Sequence, residues 1–385
     1  MSSQGRYEAV SLDGTAYEGG GGLIRYGIAL SSILNRPLRI HSIRANRPGV
    51  GGLRPEHTVA IDSMAQLTAA QVSGNKPASR EITFNPHADL SGNHAQPPTE
   101  LDVTVEGSAS IFLVAMLPFI LFSHLGSRAS HFTSGVDESA GLELTIRAGT
   151  LCVKAPSINY LRQVFVPTMK LVGIGEDYLG IDNEHEQGWH TENTKFPGKM
   201  VARIKPLKEA LPGFILERRG ELQTIRATAH VPGHVLDQFK ENLVNELKSA
   251  VGGSGSNVEV IIDVFKSVPD DQYHLLLVAT TVAPTAYLGY EQVYPQSDVF
   301  PKEMEGDEEM IASRLIRCCI RGLWAELRTG NAVDEHMEDM LVIYQSLASG
   351  FSSVSAKNGD EPVPEFNAET PSISEYTARY NTSSS

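Results

Sequence analysis

Apolar and polar residues alternate over residues 7–12, which predicts a short strand. After a glycine turn, Leu23, Gly27, Leu30 and Leu34 share one face, which predicts a helix over 23–34. The two periods then take turns along the chain: strand 38–43, helix 57–71, strand 80–85, helix 108–122, strand 129–134 and helix 158–172. Such alternation predicts an α+β fold, with α/β-like order and helices packed on sheets. Further on, Leu222 to Val231 reads as a strand, Pro232 to Ala250 as a helix, the run at 252–256 as a glycine-serine loop, and Val258 to Val264 as a strand. Those elements make a small sheet with one helix. The stretch from Pro301 to Glu309 carries Glu303, Glu305, Asp307, Glu308 and Glu309 and predicts a solvated acidic connection or a helix N-terminus. Over 353–385 apolar residues are sparse among Pro, Ser, Asn and Glu, which predicts a poorly ordered tail.

Composition narrows the class. At 385 residues and 41% hydrophobic content the chain can bury one large core or two modest ones. The most apolar run, Ile111 to Phe122, contains Pro118 and falls short of the ~20 residues a bilayer needs, so it reads as a buried helix and no membrane role is expected. Nothing near the start resembles a signal peptide, and Cys152, Cys318 and Cys319 form no C-x-x-C pair. A secreted, disulfide-framed or zinc-bound protein is therefore not expected. The net charge of −14 argues against indiscriminate nucleic-acid binding, DNA included, because that affinity comes from cations neutralising phosphates. Any RNA contact must be local.

One stretch supplies a local candidate. Ser11 to Arg25 runs from the first strand through Glu18 and four glycines, Gly19 to Gly22, into the first helix. Glycines allow close approach of a ligand to the backbone, and first-turn N–H groups with the positive end of the helix dipole favour a phosphate or carboxylate. Such a turn serves equally as a tight corner, and its spacing fits neither G-x-G-x-x-G nor the Walker A pattern. Arg25, Arg39, Arg44, Arg47 and Arg54 form a basic cluster that faces only Glu18 and Glu56 in sequence. Of these, Arg39 and Arg54 read as decoration of a solvated surface, whereas Arg44 and Arg47 flank a Pro-Gly turn.

These segments, together with Ile43-Arg44-Ala-Asn-Arg47-Pro-Gly and Leu53-Arg54-Pro-Glu56-His57, resemble the signature of the RNA 3′-terminal phosphate cyclase family. Further similarity appears at Glu106-Gly-Ser-Ala, Ala155-Pro156-Ser-Ile158-Asn-Tyr160, Glu217-Arg-Arg-Gly220 and Ala332 to Leu341, in the family's order. The resemblance implies repeated units of two helices on a four-stranded sheet, three in all, with a small α/β domain inserted in the last part. The boundaries it suggests are 1–205 with 286–352 for the larger domain, 206–285 for the insert and 353–385 for the tail. No internal repeat is visible in the sequence itself.

Chemically, the resemblance implies an ATP-dependent reaction with Mg2+ or Mn2+. A histidine attacks the α-phosphorus of ATP, the adenylate passes to an RNA 3′-phosphate, and the neighbouring 2′-OH closes a 2′,3′-cyclic phosphate. It assigns Glu18, Arg25, Arg44, Arg47 and His57 to substrate and phosphate, Pro156 and Asp339 to the nucleotide, and Glu18 to metal as well. Residue by residue, Glu18 reads equally as a helix cap or a partner for Arg25, Asp339 as a solvated helix residue, and Pro156 as a loop former. The family's nucleophilic histidine lies in the C-terminal segment, where the best match, Ile373 to Ala378, has Ser374 in its place. No histidine follows His336. His336 stands where the family has tyrosine and is the one candidate for a relocated nucleophile, although a helix histidine more simply makes a local hydrogen bond or lies exposed. Gly22, Glu56, Val114 and Met340 also stand where the family has glutamine. The phosphate-holding side is therefore better kept than the adenosine side. Three readings follow: an RNA 3′-end binder with weak or lost cyclase activity, an active cyclase with a relocated nucleophile, and a scaffold with ribosome-assembly partners in ribosomal RNA processing. A nuclear location, nucleoplasm or nucleolus, is expected, with the cytosol as the alternative.

Overall fold

The computed structural model describes residues 8–16, 19–46, 51–86, 98–123, 141–252 and 257–354. Glu18, Arg47, the expected strand 129–134 and nearly all of the expected tail lie outside them.

The first unit comprises β1 (Val10–Asp13), α1 (Gly21–Leu34), β2 (Leu38–His41), α2 (Pro55–Thr68), β3 (Gln71–Ser73) and β4 (Ile82–Asn85). Its sheet runs β1-β2-β4-β3, with β1 parallel to β2 and the other pairs antiparallel. The expected helix 57–71 is shorter, because Ala69 turns left-handed, closes α2 on the Ala65 carbonyl and releases β3. The second unit comprises β5 (Glu100–Ser108), α3 (Ala109–Phe122), β6 (Leu142–Gly149), a helical stretch, β8 (Leu179–Ile181) and β11 (Gly198–Ile204). The helical stretch is α4 (Ile158–Tyr160), a π segment (Leu161–Phe165) and α5 (Val166–Leu171). Its sheet order, β5-β6-β11-β8, repeats the first: a parallel pair, then two antiparallel strands. Between these elements β7 (Leu151–Cys152), β9 (Trp189–His190) and β10 (Lys195–Phe196) form a small sheet ordered β10-β9-β7. Helix α3 is apolar on every side and, but for Ile111, wholly buried. It is the central helix of the first core rather than an amphipathic cover.

A different sheet follows. Strands β12 (Leu222–Val231), β13 (Glu259–Lys266), β14 (Tyr273–Thr281) and β15 (Tyr287–Tyr294) are ordered β13-β12-β14-β15. They share a second core with α6 (Leu236–Gly252) and α7 (Glu308–Arg328). The acidic stretch proves to be the start of α7: Asp307 caps it and Glu308 and Glu309 occupy its first turn, where the dipole favours them. The small sheet thus carries two helices, and residues 286–328, assigned from sequence to the larger domain, pack mainly in this second core. The chain then returns to the first core in α8 (Glu335–Leu347). Parallel bridges Pro212 to Ser349 and Ile215 to Ser353 close the entry and exit of this excursion.

Two buried polar networks tie the cores together. Asp334, capping α8, accepts from Met337 N at 2.9 Å, Gly289 N of β15 at 2.7 Å and the Tyr160 hydroxyl of α4 at 2.5 Å. Glu291 of β15 accepts from Ser157 N at 2.7 Å and lies 2.8 Å from His274 Nε2, while His230 Nε2 meets Asn159 Nδ2 at 3.1 Å.

Candidate functional site

The N-termini of α1 and α2 meet at one corner of the first unit. Helix α1 begins behind Gly20 with no side-chain cap and no acidic residue in its first turn, which leaves its first N–H groups open to an anion. At the next position a β-carbon on Gly21 would sit 2.8 Å from Arg25 Nη1 and 2.9 Å from His57 Nε2, so any side chain there would push these two groups aside. Helix α2 starts with Pro55 at its first position, and the side chain of His57 reaches back so that Nδ1 accepts the Arg54 N–H at 3.1 Å. That bond leaves the Nε2–H of a neutral ring facing Gly21.

The electrostatics fit this placement. Burial pushes the His57 pKa down to about 3, and Arg25, Arg44 and Arg54 add to the shift, so the ring is neutral and surrounded by cations. Burial also lowers the Arg25 and Arg44 guanidinium pKa values, against which Glu56 acts on both and Tyr26 and Asp339 on Arg25. The Nε atoms of Arg25 and Arg44 are buried without a hydrogen-bond partner among the described residues. Buried donors in native proteins nearly always have a partner, and the described residues supply none for these two. Arg44 is 8% exposed and sits at φ 54°, in the left-handed region. A narrow pocket under Arg25 and His57 is walled by Ile24, Ile61, Met64 and Met116.

The other residues singled out in the sequence fall as follows. Asp339 is exposed on α8, its backbone carbonyl accepting the Tyr26 hydroxyl at 3.2 Å, and its charge reaches Arg25. Pro156 lies in the loop before α4, where its carbonyl accepts from the Ser110 hydroxyl. His336 is exposed in the first turn of α8, its ring edge-on to Tyr160 at 6.1 Å, and its described neighbours belong to the Asp334 network rather than to the arginine corner. Arg39 pairs with Glu81 at 2.8 Å on the surface, as expected. Arg54 differs from expectation: it is exposed, but it stands at the mouth of the corner with Glu56 3.8 Å away. Proximity to Arg44 and His57 brings it there, and sequence spacing does not encode that proximity. Among the described residues no group of three or more His, Cys, Asp and Glu side chains is placed to hold a metal, so no step is derived through one.

Acid should expose the cost of these buried rings. Burial also holds His230 at about 3, with His274 and His185 acting in the same direction. In the unfolded chain both imidazoles take up a proton near pH 6.5, and in the folded chain only near 3. Stability should therefore fall as pH drops through this window, by about 1.4 kcal/mol per pH unit for each ring. Denaturation of the wild type, His57→Gln and His230→Gln at pH 7 and 5 checks this. Each variant should lose less stability on acidification than the wild type, and parallel losses would contradict the assignment.

The repeated units set an arginine-lined corner at the N-termini of α1 and α2, the first of them without a side-chain cap. Sequence comparison makes this specific. The family model described as RNA 3′-terminal phosphate cyclase matches residues 16–368. The RNA 3′-terminal phosphate cyclase of Desulfurococcus amylolyticus is 30% identical over 354 residues, 90% of this chain and 86% of that protein. Its counterparts from Staphylothermus marinus and Saccharolobus solfataricus are 29% and 27% identical, over 90% and 89% of this chain and 86% and 88% of theirs. The chain belongs to the RNA 3′-terminal phosphate cyclase family.

Proposed function

We propose that this chain binds the phosphorylated 3′ end of an RNA at the corner formed by α1 and α2, and that covalent nucleotidyl transfer is weakened or lost. The observation that carries the reading is the pair of buried Nε atoms on Arg25 and Arg44 that find no partner among the described residues, beside the start of α1, which has no side-chain cap. A terminal phosphate supplies the acceptors those donors lack, and charge-assisted bonds of this kind are the strong ones. His57, neutral and Nε2-protonated, adds a donor without adding a charge. The open N-terminus of α1 and the arginines also suit the phosphates of ATP, and ATP would supply the adenylyl group for any end-activation chemistry. The loss of transfer rests on the sequence: no histidine follows His336, and Ser374 stands at the best-matching position. His336 itself sits beside Tyr160, Asp334 and Glu326, in acidic surroundings that suit a structural role better than attack on a phosphate.

Two measurements on the purified chain test the proposal. Fluorescence anisotropy should show an RNA ending in a 3′-phosphate binding about tenfold or more tighter than the same RNA ending in a 3′-hydroxyl, given that hydrogen bonds to charged groups contribute ~1.5–3 kcal/mol. Incubation with α-labelled ATP and Mg2+ or Mn2+ should leave no covalent label. Equal affinity for the two ends would overturn the binding reading. A labelled band lost in His336→Ala would instead make the chain an active cyclase with a relocated nucleophile.

A further inference from the structure

Among the described residues the corner is continued by β5 and the β9–β10 hairpin. Glu56, in the first turn of α2, packs against Gly107 at the end of β5, where a β-carbon would lie 3.3 Å from the Glu56 side chain. Beside Gly107, Glu106 reaches Lys195 of β10, with Nζ to Oε1 at 2.5 Å. The neighbouring strand β9 places His190 against the bare backbone of Gly149, and the charges of Arg54, Glu56, Glu106 and Lys195 all reach the His190 ring. That ring is half-buried and makes no hydrogen bond among the described residues. The β9–β10 hairpin therefore stands next to the mouth of the arginine corner, with a cation and an aromatic face. Asp339 of α8 is exposed and its charge also reaches Arg25.

We propose that the β9–β10 hairpin is a second RNA subsite, in which Lys195 holds the phosphate next upstream of the 3′ end and the His190 ring offers a face to its base. The inference rests on the proposed 3′-phosphate site and gives the bound strand a direction, from the α1–α2 corner over Gly107 toward Lys195. Single-stranded RNA is commonly held in this way, by cations that track the backbone and flat side chains that stack its bases. Both members of the Lys195–Glu106 pair are well exposed, at 67% and 58% of their side-chain surface. A solvated pair of this kind is weakly held, so an arriving phosphate can take the place of Glu106 without opening any packed structure.

The test compares a mononucleoside 3′-phosphate with a hexanucleotide ending in a 3′-phosphate, on the full chain and on Lys195→Gln, Lys195→Arg and Arg44→Gln. Lys195→Gln should weaken the hexanucleotide by about 3- to 10-fold and leave the mononucleotide unchanged. It should also lower the salt dependence of hexanucleotide binding by about 0.7 of a log unit per log unit, the share of one phosphate on a single strand. Lys195→Arg should retain the affinity, and Arg44→Gln should weaken both ligands. If Lys195→Gln binds both like the wild type, the hairpin is not a subsite, while the 3′-phosphate site stands. If the wild type binds neither ligand, both readings fall.

Discussion

Arg25→Met is expected to bind a 3′-phosphorylated RNA about 10- to 100-fold more weakly than the wild type while folding at least as stably. The loss corresponds to removing one or two charge-assisted hydrogen bonds of ~1.5–3 kcal/mol. The retained stability follows from the environment of the side chain. Its aliphatic stem lies over an apolar pocket of Ile24, Ile61, Met64 and Met116, which a methionine fills, and a buried Nε without a partner among the described residues is removed. A second readout comes from His57, whose pKa should rise once the Arg25 charge no longer opposes protonation of the ring. Unchanged RNA affinity in a folded Arg25→Met protein would take Arg25 out of the site.

Asp334→Ala is expected to be the most destabilising of the substitutions considered, by about 3–5 kcal/mol. Three donors, Gly289 N, Met337 N and the Tyr160 hydroxyl, lose their acceptor at once, each in a setting where an unsatisfied buried donor costs ~1–3 kcal/mol. Helix α8 also loses its cap. The donors come from α4, β15 and α8, so the damage falls on the join between the two cores and not on either core alone. Urea denaturation should show a lower midpoint. A single transition shifted by less than about 1 kcal/mol would mean that the join is held elsewhere, at Glu291 and Ser157.

Much of this was legible in the sequence. The periods of the hydrophobic pattern found α1, α3 and α6 to within a few residues, because each has a strong punctuator: the glycines Gly19 to Gly22 across the start of α1, Ser108 as cap of α3, and Pro232 shortly before α6. The Gly19 to Arg25 turn and Arg44 were visible as candidate chemistry because residue types alone nominate them. What stayed hidden were properties set by tertiary contact. Arg54 looked like surface because its company, Arg44 and His57, is assembled by the turn of the chain between β2 and α2. Asp334 was not singled out in the sequence, because two of its three donors come from 45 and 174 residues away. The division of the cores also escaped the pattern, because β15 and α7 are as apolar in period as any element of the first core and only their packing tells where they belong.

Arg44 adopts a left-handed backbone conformation, with its side chain buried and its Nε without a partner among the described residues. A residue other than glycine held in that region typically costs ~1–3 kcal/mol, and glycine would relieve it. Selection for folding alone has no reason to keep a buried charged side chain at such a position. The corner is thus a place where stability and activity pull against each other. A screen for heat-resistant variants would drift away from arginine here, and a screen for RNA binding would drift back, so the position itself records which pressure has shaped the chain.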